Sequence, residues 1–214
     1  QKLVVAGAEV GDALHEAVRG GHGDVVSDLL ESGASVAAKD TSGYGKTLLH
    51  IAAEEGETEM VQLLLLKGAD KDALDNNNAF TPLYLAALHG RTAAALARLD
   101  AGVEVSLRFG PLQRTILHEA ADGGRVDIMK AAIERDAEVD VTDDDDFSST
   151  PLSTATVNNN VQAIDVLVEA GADIEARNSQ HRTPLHHAAF GEPSLQTLLA
   201  LLKHGAHVNA QDES

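Results

Sequence analysis

Thr47-Leu-Leu-His-Ile-Ala-Ala-Glu-Glu-Gly56 is the stretch whose reading decides the fold. Thr47 reads as a helix N-cap, because its side-chain oxygen can accept a backbone N–H that the first helical turn leaves unpaired. The pair Ala52-Ala53 gives the helix a face small enough for a neighbouring helix to approach closely. Gly56 reads as the stop, since glycine reaches positive φ without steric cost. Behind it, Met60, Val61, Leu63, Leu64 and Leu65 stand at helical spacing and predict a second helix. Gly68-Ala69 ends that helix.

The same unit recurs along the chain. Its openings are Asp12-Ala-Leu-His15, Thr81-Pro-Leu-Tyr84, Thr115-Ile-Leu-His118, Thr150-Pro-Leu-Ser153 and Thr183-Pro-Leu-His186, and their leucines stand 33 to 35 residues apart. Pro82, Pro151 and Pro184 occupy the first helical position, where a missing N–H does no harm. The second marker returns in phase as Gly33-Ala34, Gly102-Val103, Asp136-Ala137, Gly171-Ala172 and Gly205-Ala206. These motifs resemble the ankyrin repeat, Thr-Pro-Leu-His-x-Ala-Ala followed by Gly, an apolar helix and Gly-Ala. The resemblance covers roughly residues 12–210. It implies an all-α solenoid of stacked helix-turn-helix units with projecting, β-hairpin-like finger loops. The expected repeats are 12–45, 46–79, 80–113, 114–148, 149–181 and 182–214, with 1–11 a shortened N-terminal cap or partial repeat. No polar cap sequence follows the last helix, so a fragment of a longer protein is expected.

Three departures stand out. Arg98 occupies a second-helix position where the pattern has leucine, Asp136 replaces the stop glycine, and Asn158-Asn159-Asn160 fills the turn of the fifth unit. Non-glycine residues at positive φ cost about 1 kcal/mol or more, with Asp and Asn the more tolerant.

Composition narrows the function. The chain has 214 residues, 34 acidic against 16 basic, a net charge of -18, six aromatics and no cysteine or tryptophan. Without cysteine there is no disulfide, zinc-thiolate or iron–sulfur chemistry. The negative field argues against nucleic acid and anionic membranes, and no apolar run approaches the ~20 residues of a membrane helix. No nucleophile elbow, phosphate loop or zinc-binding His-Glu-x-x-His appears, so no enzyme, cofactor or metal site is expected. His181, His186 and His187 cluster in sequence but lack a further ligand at a helical offset.

His15, His50, His118 and His186 sit at the motif position, where the resemblance implies a structural imidazole bonded to neighbouring loop backbone. It also implies a protein partner on the concave face of fingers and first helices. Candidate contacts follow each Ala pair or its equivalent: Arg19, Glu54 and Glu55, Leu88 and His89, Asp122, Val157 and Asn158, and Phe190. Four further candidates are Asp143, Asp144, Asp145 and Asp146. They lie in a run from Glu134 to Asp146 with eight acids against Arg135 alone. That run lacks the spacing of a calcium loop and reads as a solvated, self-repelling fingertip, as a dock for a basic partner, or as an adventitious divalent-cation binder. Of the aromatics, Tyr44, Phe80, Phe109 and Phe147 precede caps, whereas Tyr84 and Phe190 read as first-helix residues. The loop rings are either binding anchors or seals over a neighbouring loop, with Phe80 and Phe147 leaning to seals and Tyr44 and Phe109 kept as anchors.

The expected function is therefore a scaffold that binds a protein, preferably a basic one, as a monomer or within a larger chain or complex. A regulatory or targeting module of a longer enzyme, channel or ubiquitin ligase is the alternative. The expected compartment is the cytoplasm, or else the nucleus.

Overall fold

Every cap threonine of the sequence pattern opens a helix. In the computed structural model, which describes residues 7–76, 79–190 and 194–212, twelve helices are paired one after another. The chain divides into two compact units, one up to Glu104 and one from Val105. The first contains α1 (Gly7–Arg19), α2 (Gly23–Glu31), α3 (Leu48–Glu55), α4 (Thr58–Leu66), α5 (Pro82–Leu88) and α6 (Thr92–Asp100). The second contains α7 (Ile116–Asp122), α8 (Val126–Ile133), α9 (Pro151–Val157), α10 (Val161–Glu169), α11 (Pro184–Ala189) and α12 (Leu195–Lys203).

Within each unit the first helices form one row and the second helices another: α1, α3 and α5 over α2, α4 and α6, then α7, α9 and α11 over α8, α10 and α12. The alanine pairs explain the close spacing of the first row. Ala52, Ala53, Ala86, Ala120 and Ala121 are fully buried, and Leu49, Leu83, Leu117 and Leu152 fill the space beside them. Burying each such leucine contributes about 1.5–3 kcal/mol. Such a core is assembled from thin aliphatic helices, so few rings are needed. The described residues form no sheet; isolated antiparallel bridges at Lys39–Thr47 and Phe109–Arg114 close two of the fingers.

Two threonine caps accept the expected backbone bond, while Thr47, Thr115 and Thr183 instead place Oγ1 2.8–2.9 Å from the Nδ1 of their own motif histidine. Thr81 Oγ1 accepts from Tyr84 N at 3.2 Å, and Thr150 Oγ1 from Ser153 N at 3.2 Å. Asp12, by contrast, caps nothing. α1 begins at Gly7 and runs through it, and its carboxylate instead accepts from the Thr41 hydroxyl at 3.2 Å. Residues 7–11 thus extend the first helix, and residues 1–6 of the expected cap lie outside the described residues. The inter-helix glycine is required at Gly56. Its φ is +85°, and a Cβ there would stand 2.9 Å from the Arg91 side chain. Arg91 lies across it, donating from Nε to the Glu54 carbonyl at 2.8 Å.

Both irregular positions bear strain of the kind expected. Asp136 sits at φ +62°, and Asn159 takes the glycine role of the fifth turn at φ +57°. Arg98 is fully buried in α6, and none of its three guanidinium nitrogens has a hydrogen-bond partner. Burial lowers its pKa to about 10, while the fields of Asp72 and Asp70 support the charge. A buried cation without hydrogen bonds is costly. Two substitutions should therefore raise the melting temperature. Asp136→Gly should add ~2–4 °C, for roughly 1 kcal/mol of relieved strain in a chain of this size. Arg98→Leu should raise it further, and a clear drop on thermal unfolding for either would contradict the register or the burial.

Candidate functional site

Two of the motif histidines, His50 and His118, bind one repeat to the next. Thr115 N donates to His118 Nδ1 at 3.1 Å, so that nitrogen carries no proton. The proton is on Nε2, which donates to the Ser149 carbonyl at 3.0 Å, just ahead of the next cap. His50 does the same between Thr47 N (3.1 Å) and the Phe80 carbonyl (2.9 Å). His186 takes the first bond only, from Thr183 N at 3.2 Å. His15 departs from the expectation: its Nδ1 donates within its own helix to the Gly11 carbonyl at 2.6 Å, and its Nε2 is buried without a partner. In the fifth repeat Ser153 accepts from Thr150 N at 2.8 Å, but so short a side chain stays within its own cap.

The Asp143–Asp146 run is not uniformly solvated. Asp143 is only 4% exposed. It accepts from Ser149 N at 2.8 Å and Asp145 N at 3.3 Å, while its own N–H donates to the Ser149 carbonyl at 2.9 Å. Asp145 accepts from Phe147 N at 2.9 Å and the Ser149 hydroxyl at 2.8 Å. The two carboxylates therefore fold the loop, leaving Asp144 and Asp146 exposed. The sequence reading missed that this is a recurring device. Asp40 accepts from Lys46 N, Asp75 from Phe80 N and Asn178 from Arg182 N, each ahead of a cap threonine. An Asp or Asn five to seven residues before Thr47, Thr81, Thr150 and Thr183 was the available signal, which Thr115 lacks.

In the first unit the predicted positions form a strip of polar contacts. Glu54 meets Lys46 at 2.6 Å and His89 at 3.4 Å, and Arg19 lies 3.7 Å from Glu55. Tyr44 and Leu88 are exposed beside them. Phe80 behaves as a seal, stacked on Tyr84 with centroids 4.4 Å apart. In the second unit the fingers and first helices enclose a groove of about 690 Å³. Leu112 and Phe147 stand on the finger side, Asp122, Val157 and Asn158 at the helix ends, and Thr154 and Thr156 at the bottom. Phe190 ends α11 in extended conformation rather than lying within it, and it is 73% exposed. Val157 is 60% exposed and Phe147 44%. Two ring assignments are thus reversed. Phe147 opens onto the groove, whereas Phe109, held in the Phe109–Arg114 bridge, is 2% exposed and offers no ring to a partner.

Arg114, also absent from the sequence reading, is the electrostatic centre of the groove. Its guanidinium meets Glu119 at 2.7 Å, Asp122 at 3.4 Å and Asp143 at 3.8 Å. Arg182 pairs with Asp212 at 3.3 Å and lies 5.3 Å over the Phe190 ring. Burial first, and then the charge of Asp145, pushes the Asp143 carboxyl up to about 6. Burial works on Asp145 in the same sense, but its hydrogen bonds from Ser149 and Phe147 prevail and hold it below the usual range. His187 is lowered by burial, then by Arg182, and makes a 3.2 Å contact with the Asn178 amide. Among the described residues, no group of three or more His, Cys, Asp or Glu is placed to hold a metal ion, and no helix is long and apolar enough to cross a membrane.

The sequence matches the family model for ankyrin repeats (3 copies) over residues 14–108, 49–143, 96–178 and 117–212. The chain belongs to the ankyrin repeat family. It is similar to the nuclear factor NF-kappa-B p105 subunit of Gallus gallus, 32% identical over 77% of this chain and 17% of that protein. The ankyrin repeat and SOCS box protein 16 of Homo sapiens is 32% identical over 87% of this chain and 41% of its own length. This ankyrin chain therefore spans less than half the length of either relative. The crystal structure of the human ASB11 ankyrin repeat domain matches with a TM-score of 0.79 at 24% identity, covering 94% of this chain and 86% of that one, a likeness of fold.

The titrating groups give the site a pH signature. His118 is lowered from 6.5 to about 4, mainly by burial. A depressed folded-state pKa supplies stability that is complete above about 6.5 and is lost as pH falls towards about 4. Asp143, raised from 3.8 to about 6, acts in the opposite sense, since the fold gains stability as this carboxyl takes up its proton. Thermal melts across this window should show His118→Gln flattening the acid loss and Asp143→Asn steepening it. Curves parallel to that of the unmodified chain would contradict both assignments.

Proposed function

We propose that this chain binds a partner protein through its fingers and first helices, with the groove of the second unit as the principal contact. One observation carries this reading. Phe147, Val157 and Phe190 stay exposed around a recess of about 690 Å³ whose walls also carry Asp122, Asp143 and Asp145. Exposed apolar anchors beside charged groups are what a protein interface uses. A net charge of -18 favours a basic partner and fast, salt-sensitive association. A rigid, preorganised wall loses little entropy on binding. We assign no catalysis to these residues and place the chain in the cytoplasm or nucleus.

A second reading is favoured by the lengths of the relatives, of which this chain matches 17% and 41%. In that reading the repeats select the partner for a longer enzyme, channel or ubiquitin ligase. Both readings use the same surface. Affinity capture with the joint variant Phe147→Ala, Val157→Ala and Phe190→Ala should lose about tenfold or more of the partner retained by the unmodified chain. Capture by Tyr44→Ala with Leu88→Ala in the first unit should fall less. Undiminished capture by the groove variant, with an unchanged melting curve, would overturn the assignment.

A further inference from the structure

We infer that the groove of the second unit receives an extended peptide segment that seats one arginine or lysine side chain against Asp122 and Asp145, with an apolar neighbour against Val157 and Phe190. The inference rests on the protein-binding reading above and specifies its ligand.

Shape argues for a segment rather than a folded surface. A volume of about 690 Å³ falls within the ~300–1,000 Å³ of pockets that enclose a small ligand, enough for a few side chains. The recess runs between finger loops and helix ends, and Thr154 and Thr156 supply small polar groups at its bottom.

Charge argues for a cation. Asp122, Asp143 and Asp145 line the groove, and Arg114 among them pairs with Asp122 and Asp143 and, outside the lining, with Glu119. Asp145 takes its hydrogen bonds from Phe147 and Ser149, neither of them charged. The other arginine of the groove is committed to Asp212 and to the Phe190 ring. The groove therefore holds more negative charge than its own cations balance. The raised pKa of Asp143 reflects that excess together with burial. A partner cation at the mouth would restore the balance, and the exposed apolar wall beside it fits the stem of that side chain or its neighbour. The Arg182–Phe190 stack already shows a guanidinium resting on this ring, consistent with the ~0.5–1 kcal/mol of an exposed cation–π contact.

A random peptide library panned on the full chain tests this directly. Enriched peptides should carry Arg or Lys next to an aliphatic or aromatic residue, and replacing that cation with citrulline or Gln should weaken binding. Asp122→Asn should cost about fivefold in affinity, in keeping with one partly exposed ion pair. Val157→Ala with Phe190→Ala should cost about tenfold. Asp144→Asn with Asp146→Asn removes two exposed acids of the same finger that do not line the groove, and it should leave affinity unchanged. Peptides that bind without a cation, or that respond equally to Asp144 and Asp146, would overturn the inference. If the groove variant also abolishes capture of a protein partner but no peptide binds, the groove is an interface for a folded surface; this inference then fails while the broader reading stands. If neither peptide nor protein depends on the groove, both fail.

Discussion

The rest of the structure depends on an imidazole that accepts from its own helix cap and donates to the next repeat. His118 closes the cap at Thr115 through Nδ1, and that bond leaves the only ring proton on Nε2, aimed at Ser149. Ser149 is the hinge of the finger. Its N–H donates to Asp143, and its carbonyl accepts from both His118 and Asp143 N. The loop that carries Asp143, Asp145 and Phe147 is therefore fastened to the first helix of its own repeat. A finger held this way becomes the rigid wall of a groove.

That constraint also organises the electrostatics. A neutral, buried His118 beside Arg114 avoids placing a second cation there, and burial keeps it neutral down to about pH 4. Arg114 is then free to gather Asp122 and Asp143 on the groove side. The first unit uses the same histidine relay at His50, but its acids are matched by Lys46 and Arg19. A shared scaffold thus supports two different surfaces, and the difference lies in which finger and helix-end residues each repeat carries.

What the sequence reveals follows periodicity. Caps, proline positions, alanine pairs and turn residues recur in phase, so the helices and their stacking order are legible from Thr47–Gly56 outward. Even the exceptions, Asp136 and Asn159, take the left-handed conformation that their place in the repeat demands. Asp12 misleads because a cap residue signals a helix start only if the chain before it is not already helical, and α1 begins at Gly7. His15 consequently bonds inside its own helix. The groove is less legible, because loop side-chain direction depends on local turns and not on a period. Phe109 and Phe147 both precede a cap threonine. The first is folded inward by its bridge to Arg114, and the second is turned outward in a loop tied by Asp143, Asp145 and the left-handed Ser148. Arg114 and Glu119 escape notice because their pairing joins a finger to a helix face.

The relay itself is the central claim, and nitrogen-15 NMR of the histidine rings tests it most directly. His118 should show the tautomer with its proton on Nε2, in slow exchange with water. It should remain neutral well below the ordinary value of 6.5, towards about 4. A ring that titrates near 6.5, or that carries its proton on Nδ1, would contradict the account.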